Sequence, residues 1–229
     1  MQRSPAEATA EPADDQPSTA HDRLDAAEPV GPDAGPFPRL LPWLLLIGGA
    51  IGLGAAFTLA VEKIALLKDP TYVPSCSINP VLSCGSVMTT PQAEVFGFPN
   101  PLLGIAAFAL VATIGAALLS GARLGRWFWL GLQAGVTFGV VFVHWLIVQS
   151  LYVIGALCPY CMLVWAVTIP SFLYVTLHNL HRRHLPAPAG GQRVVEALVG
   201  YHAVALTVWF LALLTMIGVR FWSYWSTLL

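Results

Sequence analysis

The stretch CPYCMLVWAVTIPSFLYVTL, residues 158–177, carries two patterns at once. It is a run of about 20 mostly apolar residues, the length an α-helix needs to cross the hydrocarbon core of a bilayer. It also opens on a C-x-x-C pair, Cys158 and Cys161. The only other cysteines are Cys76 and Cys84, a C-x7-C pair far upstream. Fold class and chemistry both follow from how these two pairs sit relative to the apolar runs.

Hydrophobic residues make up 56% of the 229-residue chain and charged residues 10%, the balance of a polytopic protein in a lipid bilayer rather than of a soluble domain. Four further segments reach spanning length, at 40–61, 101–120, 127–147 and 194–217. The expected fold is all-α and integral to the membrane, a four-helix transmembrane bundle plus a fifth transmembrane helix. Residues 40–180 form the bundle, with a long loop at 62–100; residues 181–193 form a connecting loop, and 194–229 the fifth helix with a short tail. The net charge of −1 hides an asymmetry, since eight of the twelve acids precede residue 40. Residues 1–39 are rich in Pro, Ala, Asp and Glu and hold too little apolar surface to offset ordering entropy, so a disordered tail is expected. They lack the basic start and short apolar stretch of a signal peptide. No feature suggests nucleic acid.

Orientation follows from Lys and Arg in short loops, which favour the cytoplasmic side. Arg39, Arg123, Arg126, Arg182, Arg183 and Arg193 fall on one side of five alternating spans. That places the N-terminus in the cytoplasm. All four cysteines then share the extracytoplasmic face, where disulfides persist. Gly131, Gly135 and Gly139, and likewise Gly48 and Gly52, recur at four-residue spacing and are expected to let helices approach closely. Glu62 and Lys63 read as markers of the membrane interface.

A C-x-x-C can cycle between dithiol and disulfide, and a second pair can exchange electrons with it. The Pro-Tyr dipeptide is that of glutaredoxins, whose motif sits in a soluble βαβ setting. Here the motif opens an apolar helix, where free N–H groups and the helix dipole favour a thiolate and Pro159 fits the first turn. The plain alternative is a pair of structural disulfides, or small buried hydrophobes. A zinc site would normally use two short-spaced pairs, so C-x7-C argues against it and no metal is expected. The Pro- and Ser-punctuated loop 75–91 reads as a mobile segment leading into a half-helix over 91–98. Asn100, at the entrance of the second span, can cap the helix or offer an amide donor to a ligand. His144 and Gln149 are candidates to relay protons, because ionisable groups inside a membrane are functional by default.

The order Cys76-x7-Cys84, then Gly97-Phe98-Pro99-Asn100-Pro101-Leu102-Leu103-Gly104, then Cys158-x-x-Cys161 resembles the vitamin K epoxide reductase family in its bacterial form, over roughly residues 40–180. The DsbB type of quinone-linked thiol oxidase carries its two pairs in the reverse order. The resemblance implies that Cys161 lies against the quinone, as the buried member of its pair, while Cys158 exchanges with Cys84. Cys76 would accept electrons from an external dithiol. Asn100 matches the asparagine that binds a quinone carbonyl, and Thr90 the Ser or Thr near the loop cysteines. Trp165 stands where vertebrate members have Tyr, keeping an aromatic ring without its hydroxyl.

The resulting expectation is a membrane oxidoreductase of the bacterial inner membrane. It oxidises an extracytoplasmic thioredoxin-fold (DsbA-like) protein and passes the electrons to a quinone, menaquinone or ubiquinone, in support of disulfide formation. A DsbA-type donor sits at about −120 mV, so the acceptor must be comparably oxidising. Bacterial relatives often carry a thioredoxin-like domain after the fifth span; this sequence stops at Leu229, so a separate partner is expected. Recycling of vitamin K epoxide or quinone is the alternative within the same chemistry, and a non-enzymatic membrane protein with two inert disulfides the alternative outside it.

Overall fold

The computed structural model describes residues 36–185 and 191–227. The chain forms α1 (Leu40–Lys68), α2 (Cys84–Met88), a 3-10 turn (Pro91–Glu94), α3 (Asn100–Leu119) and α4 (Arg126–Val148), which runs on as a π-helix (Gln149–Ile154). Then follow α5 (Pro159–His181), α6 (Gly191–Gly200), α7 (His202–Arg220) and α8 (Trp222–Trp225). Helices α1, α3, α4 with its π extension, α5 and α7 are each long and apolar enough to cross a bilayer. This is an all-α, multi-pass membrane protein. Among the described residues there is no strand, only an isolated parallel bridge between Leu82 and Leu157.

Helix α1 packs against both α3 and α5, and α5 packs against α4, whereas α3 and α4 hardly touch. The tight α1–α3 contact depends on glycine: a Cβ at Gly115 would collide with the backbone of Leu46, and one at Gly49 would lie 2.5 Å from the Ala112 nitrogen. At the end remote from the cysteines, the fully buried Asn179 donates to Gln133 Oε1 at 3.0 Å and to the Trp129 carbonyl at 3.2 Å, tying α5 to α4.

Several expectations change. The first helix does not stop at residue 61 but runs two turns further to Lys68, with Glu62 and Lys63 buried and bonded to the loop that follows. The connection at 148–157 is mostly π-helix, closed by Gly155 at φ 72°, a conformation suited to glycine. The half-helix expected over 91–98 is one 3-10 turn ending at Glu94; Gly97 at φ 79° and Pro99 stop it. The fifth apolar segment is broken at Tyr201 into α6 and α7. In the glycine repeat on α4, Gly131 and Gly135 do not serve close helix approach, since a Cβ there would meet nothing within 4 Å, whereas one at Gly139 would touch Thr168 of α5 at 3.5 Å. Of the stretch expected to be disordered, residues 1–35 lie outside the described residues. Phe37 packs its ring edge-on at 4.8 Å from both Tyr174 and His202.

Candidate active site

The loop between α1 and α3 is folded by short local rules. Asn79 Oδ1 accepts the backbone N–H groups of Val81 and Leu82 at 2.9 and 2.8 Å, and Ile78 N–H returns to the Leu82 carbonyl at 2.8 Å. This Asx turn reverses the chain around Pro80. Ser83 then caps α2, its hydroxyl accepting from Ser86 N. Cys84, the first residue of α2, is joined by a disulfide to Cys76, and Ser77 Oγ accepts from Gly85 N at 3.2 Å beside it. Cys76 and Cys84 are 5% and 0% exposed, so the loop cysteines are packed rather than free-standing.

The inner pair is set by the other half of the bridge. After the turn at Gly155, Leu157 runs extended and donates its N–H to the Val81 carbonyl at 2.7 Å, while its own carbonyl accepts from Ser83 N at 2.8 Å. The residues that follow each side of this bridge are Cys84 and Cys158. Their sulfurs lie 3.2 Å apart. Cys158 also caps α5, with Sγ accepting the Cys161 N–H at 3.4 Å. One residue before the span, its thiol is held below the ordinary cysteine range, first by a hydrogen bond from the Cys161 side chain and then by backbone N–H groups, against the opposing effect of burial. Cys158 and Cys161 are free thiols, and Cys158 is the buried member, at 1% exposure, with Cys161 partly exposed. Cys158 packs with Cys76, Cys84 and Met88, whereas the exposed surface of Cys161, one turn along α5, lines a cavity inside the bundle.

That cavity, of about 650 Å³, fills the gap left between α3 and α4. Cys161, Trp165, Asn100 and Thr90 all line it, together with Gly131, Gly135 and Gly139, so the glycine repeat makes room for a ligand. Its wall is overwhelmingly apolar, as a lipid-soluble, ring-shaped ligand requires. Asn100 does not cap α3; that position is Pro99. Its Nδ2 donates to the Gln92 carbonyl at 2.8 Å and its Oδ1 accepts from Val95 N at 3.2 Å, bracing the loop over the cavity. The amide has two N–H groups and Gln92 takes one, so one donor remains for a carbonyl in the cavity. Thr90 donates its hydroxyl to the Val87 carbonyl at 2.8 Å, and Trp165 is 4% exposed. A quinone, apolar with two carbonyls, fits this donor set.

His144 is not among the cavity-lining residues. Its Nδ1 meets the Val140 carbonyl at 2.7 Å and its Nε2 accepts the indole N–H of Trp209 at 3.0 Å, so the ring faces α7. Gln149 accepts from Gln92 Nε2 at 3.5 Å.

Two side chains read from the sequence only as interface markers brace the cysteine loop. Glu62 accepts from Tyr72 OH at 2.8 Å and from Ser75 N and Ser75 Oγ, gripping the chain just before Cys76. Lys63 donates to the Met88 carbonyl at 2.7 Å and pairs with Glu94 at 2.8 Å, gripping the chain just after Cys84. Adjacent charges near the end of a long apolar helix were the available signal; their targets in the loop were not visible.

Comparison with curated proteins gives no match. A family model described as the Vitamin K epoxide reductase family matches residues 43–176, more than half of the chain and all four cysteines. Such membrane proteins carry thiol–disulfide exchange linked to quinone chemistry, for which two cysteine pairs meeting above an apolar cavity are suited. The chain belongs to the vitamin K epoxide reductase family.

Proposed function

We propose that this oxidoreductase removes an electron pair from an external thioredoxin-fold (DsbA-like) protein and passes it through the two cysteine pairs to a membrane quinone. The contact of 3.2 Å between Cys84 Sγ and Cys158 Sγ, with Cys161 one turn further on the cavity wall, carries this reading.

The chemistry runs through four thiol–disulfide exchanges and a final reduction of quinone. A partner thiolate attacks Cys76, the Cys76–Cys84 bond breaks, and the partner's second thiol resolves the mixed disulfide, leaving the loop as a dithiol. Cys84 thiolate then attacks Cys158 of an oxidised inner pair and expels Cys161 as thiolate. Cys76 next attacks Cys84, restoring the loop disulfide and freeing Cys158. The bonded loop and free inner thiols correspond to this stage. A quinone in the cavity accepts two electrons and two protons as the Cys158–Cys161 disulfide re-forms. Asn100 orients a carbonyl through its remaining N–H, and the apolar wall excludes water.

Cys76 is buried, so the partner step needs the loop to lift; Val73 and Ile78, at 71% and 69% exposure, offer apolar surface on either side of it. The distribution of Arg in the connecting segments supports an extracytoplasmic cysteine face and a cytoplasmic N-terminus in a bacterial inner membrane. Stopped-flow quinone reduction by purified wild type and each single-cysteine variant tests the path. Loss of Cys76 or Cys84 should abolish reduction by the protein donor while leaving reduction by a small dithiol that reaches the inner pair, and loss of Cys158 or Cys161 should abolish both. Full activity with the protein donor in a Cys84→Ala variant would contradict the reading.

A further inference from the structure

Helix α7 lies outside the family match at 43–176, yet it reaches back to the cysteine junction. The final bond of the π-helix runs from Gly155 N to Ser150 O at 3.0 Å. The next carbonyl, that of Leu151, faces the helix end without that kind of partner, a position that needs an outside donor. Arg220, in the last turn of α7, supplies it: Nε donates to Leu151 O at 2.7 Å. Leu151 itself is 0% exposed. Beside Arg220, the ring of Phe221 is buried in one cluster with Val81, Leu151 and Leu157. Val81 and Leu157 are the two residues whose backbones bond to set the register of Cys84 and Cys158.

We propose that Arg220 is a positioning residue for electron transfer between the pairs. By fixing the Leu151 carbonyl, it holds the π-helix and its Gly155 turn at the height where Leu157 bridges Val81 and Ser83. The fifth span is thus a buttress for the junction rather than a passive addition to the bundle. A guanidinium suits the task because it stays charged and its Nε–H has a fixed direction. The step it serves is the exchange in which Cys84 attacks Cys158, the Cys158–Cys161 bond breaks and Cys84–Cys158 forms. Arg220 itself is not among the residues that line the cavity, but Ser150 and Ile154 of the π-helix it holds are, so the trapped Cys84–Cys158 fraction, rather than KM, isolates its effect on exchange.

This inference rests on the relay proposed above, and its test separates the two. The full-length chain is used in two backgrounds. In Cys76→Ala protein, which can form the Cys84–Cys158 disulfide but not resolve it to the loop disulfide, that bond is quantified by peptide mapping after non-reducing digestion, with and without Arg220→Ala. In otherwise wild-type protein, kcat and KM for decylubiquinone are measured with a reduced thioredoxin-fold donor. Arg220→Ala should lower both the trapped fraction and kcat about tenfold, the effect of losing a hydrogen bond from a charged donor. Arg220→Lys, which keeps a cationic donor, should recover most of kcat. Equal trapping in Arg220→Ala and its parent would overturn the positioning role while leaving the relay intact. A parent that traps no Cys84–Cys158 bond would remove the relay, and the positioning role with it.

Discussion

Lys63 Nζ lies 2.8 Å from Glu94 Oε1 and, in the same position, 2.7 Å from the Met88 carbonyl, so one buried side chain on α1 holds both the end of α2 and the turn beyond it. The neighbouring Glu62 holds the other side of the cysteine loop through Tyr72 and Ser75. Together the two adjacent residues fix the loop on either side of its disulfide. Lys63→Ala leaves a carbonyl and a carboxylate without their donor, at a cost of about 1–3 kcal/mol. A lowered thermal midpoint and slower oxidation of a protein donor are expected. Glu94→Gln should cost less, because Glu94 is 39% exposed and the Met88 bond survives.

Glu62→Gln keeps the shape of the side chain and removes its charge. Its three acceptor bonds come from Tyr72 and Ser75, and the carboxylate holds the phenol of Tyr72 above its ordinary pKa, chiefly through their hydrogen bond. With a neutral amide in its place, the Tyr72 phenol should titrate at lower pH, toward its ordinary range, as followed by ultraviolet difference absorbance against a Tyr72→Phe control. The segment before Cys76 should also become more accessible to proteolysis.

Gly135→Leu introduces a side chain where a Cβ meets no atom within 4 Å, into the cavity lined by Cys161. The protein should fold with little change in stability, since no packed neighbour is displaced. Its KM for a quinone should rise by about tenfold, equivalent to ~1.4 kcal/mol of lost binding. Exchange with the thiol donor, measured without quinone, should be unaffected.

Asn100→Asp replaces the amide donor with acceptor-only oxygen. The bond to the Gln92 carbonyl is lost along with the donor left for a ligand. A raised quinone KM and increased hydrogen exchange over residues 92–95 should appear together. A raised KM alone would assign Asn100 to the ligand and not to the loop.

Much of this architecture can be read directly from the residues, and the reasons differ by element. The helices α1, α3, α4 and α5 follow from apolar length, a local property. The two cysteine pairs declare themselves by number and spacing. Their registration does not, because the bridge between Leu82 and Leu157 joins residues far apart in sequence and uses backbone groups that every residue has. The repeat Gly131-Gly135-Gly139 has the same spacing whether it accepts a helix or a ligand; only the separation of α3 from α4 decides. His144 looked like a proton relay by its depth in an apolar helix, but its rotational position on α4 turns it toward Trp209. Cys158 and Cys161 are three residues apart on one turn, and which of them meets Cys84 and which the cavity depends on where α2 lies, information held in another part of the chain.

Electron passage from the loop to the inner pair requires a bond between Cys84 and Cys158, and their sulfurs at 3.2 Å are placed for it. The most direct measurement is mass-spectrometric mapping of disulfides in Cys76→Ala protein isolated from cells with thiols blocked at lysis, because without Cys76 the bond between Cys84 and Cys158 cannot be resolved to the loop disulfide. The relay predicts a Cys84–Cys158 bond with Cys161 as a free thiol. A Cys158–Cys161 bond with Cys84 as a free thiol throughout would contradict it.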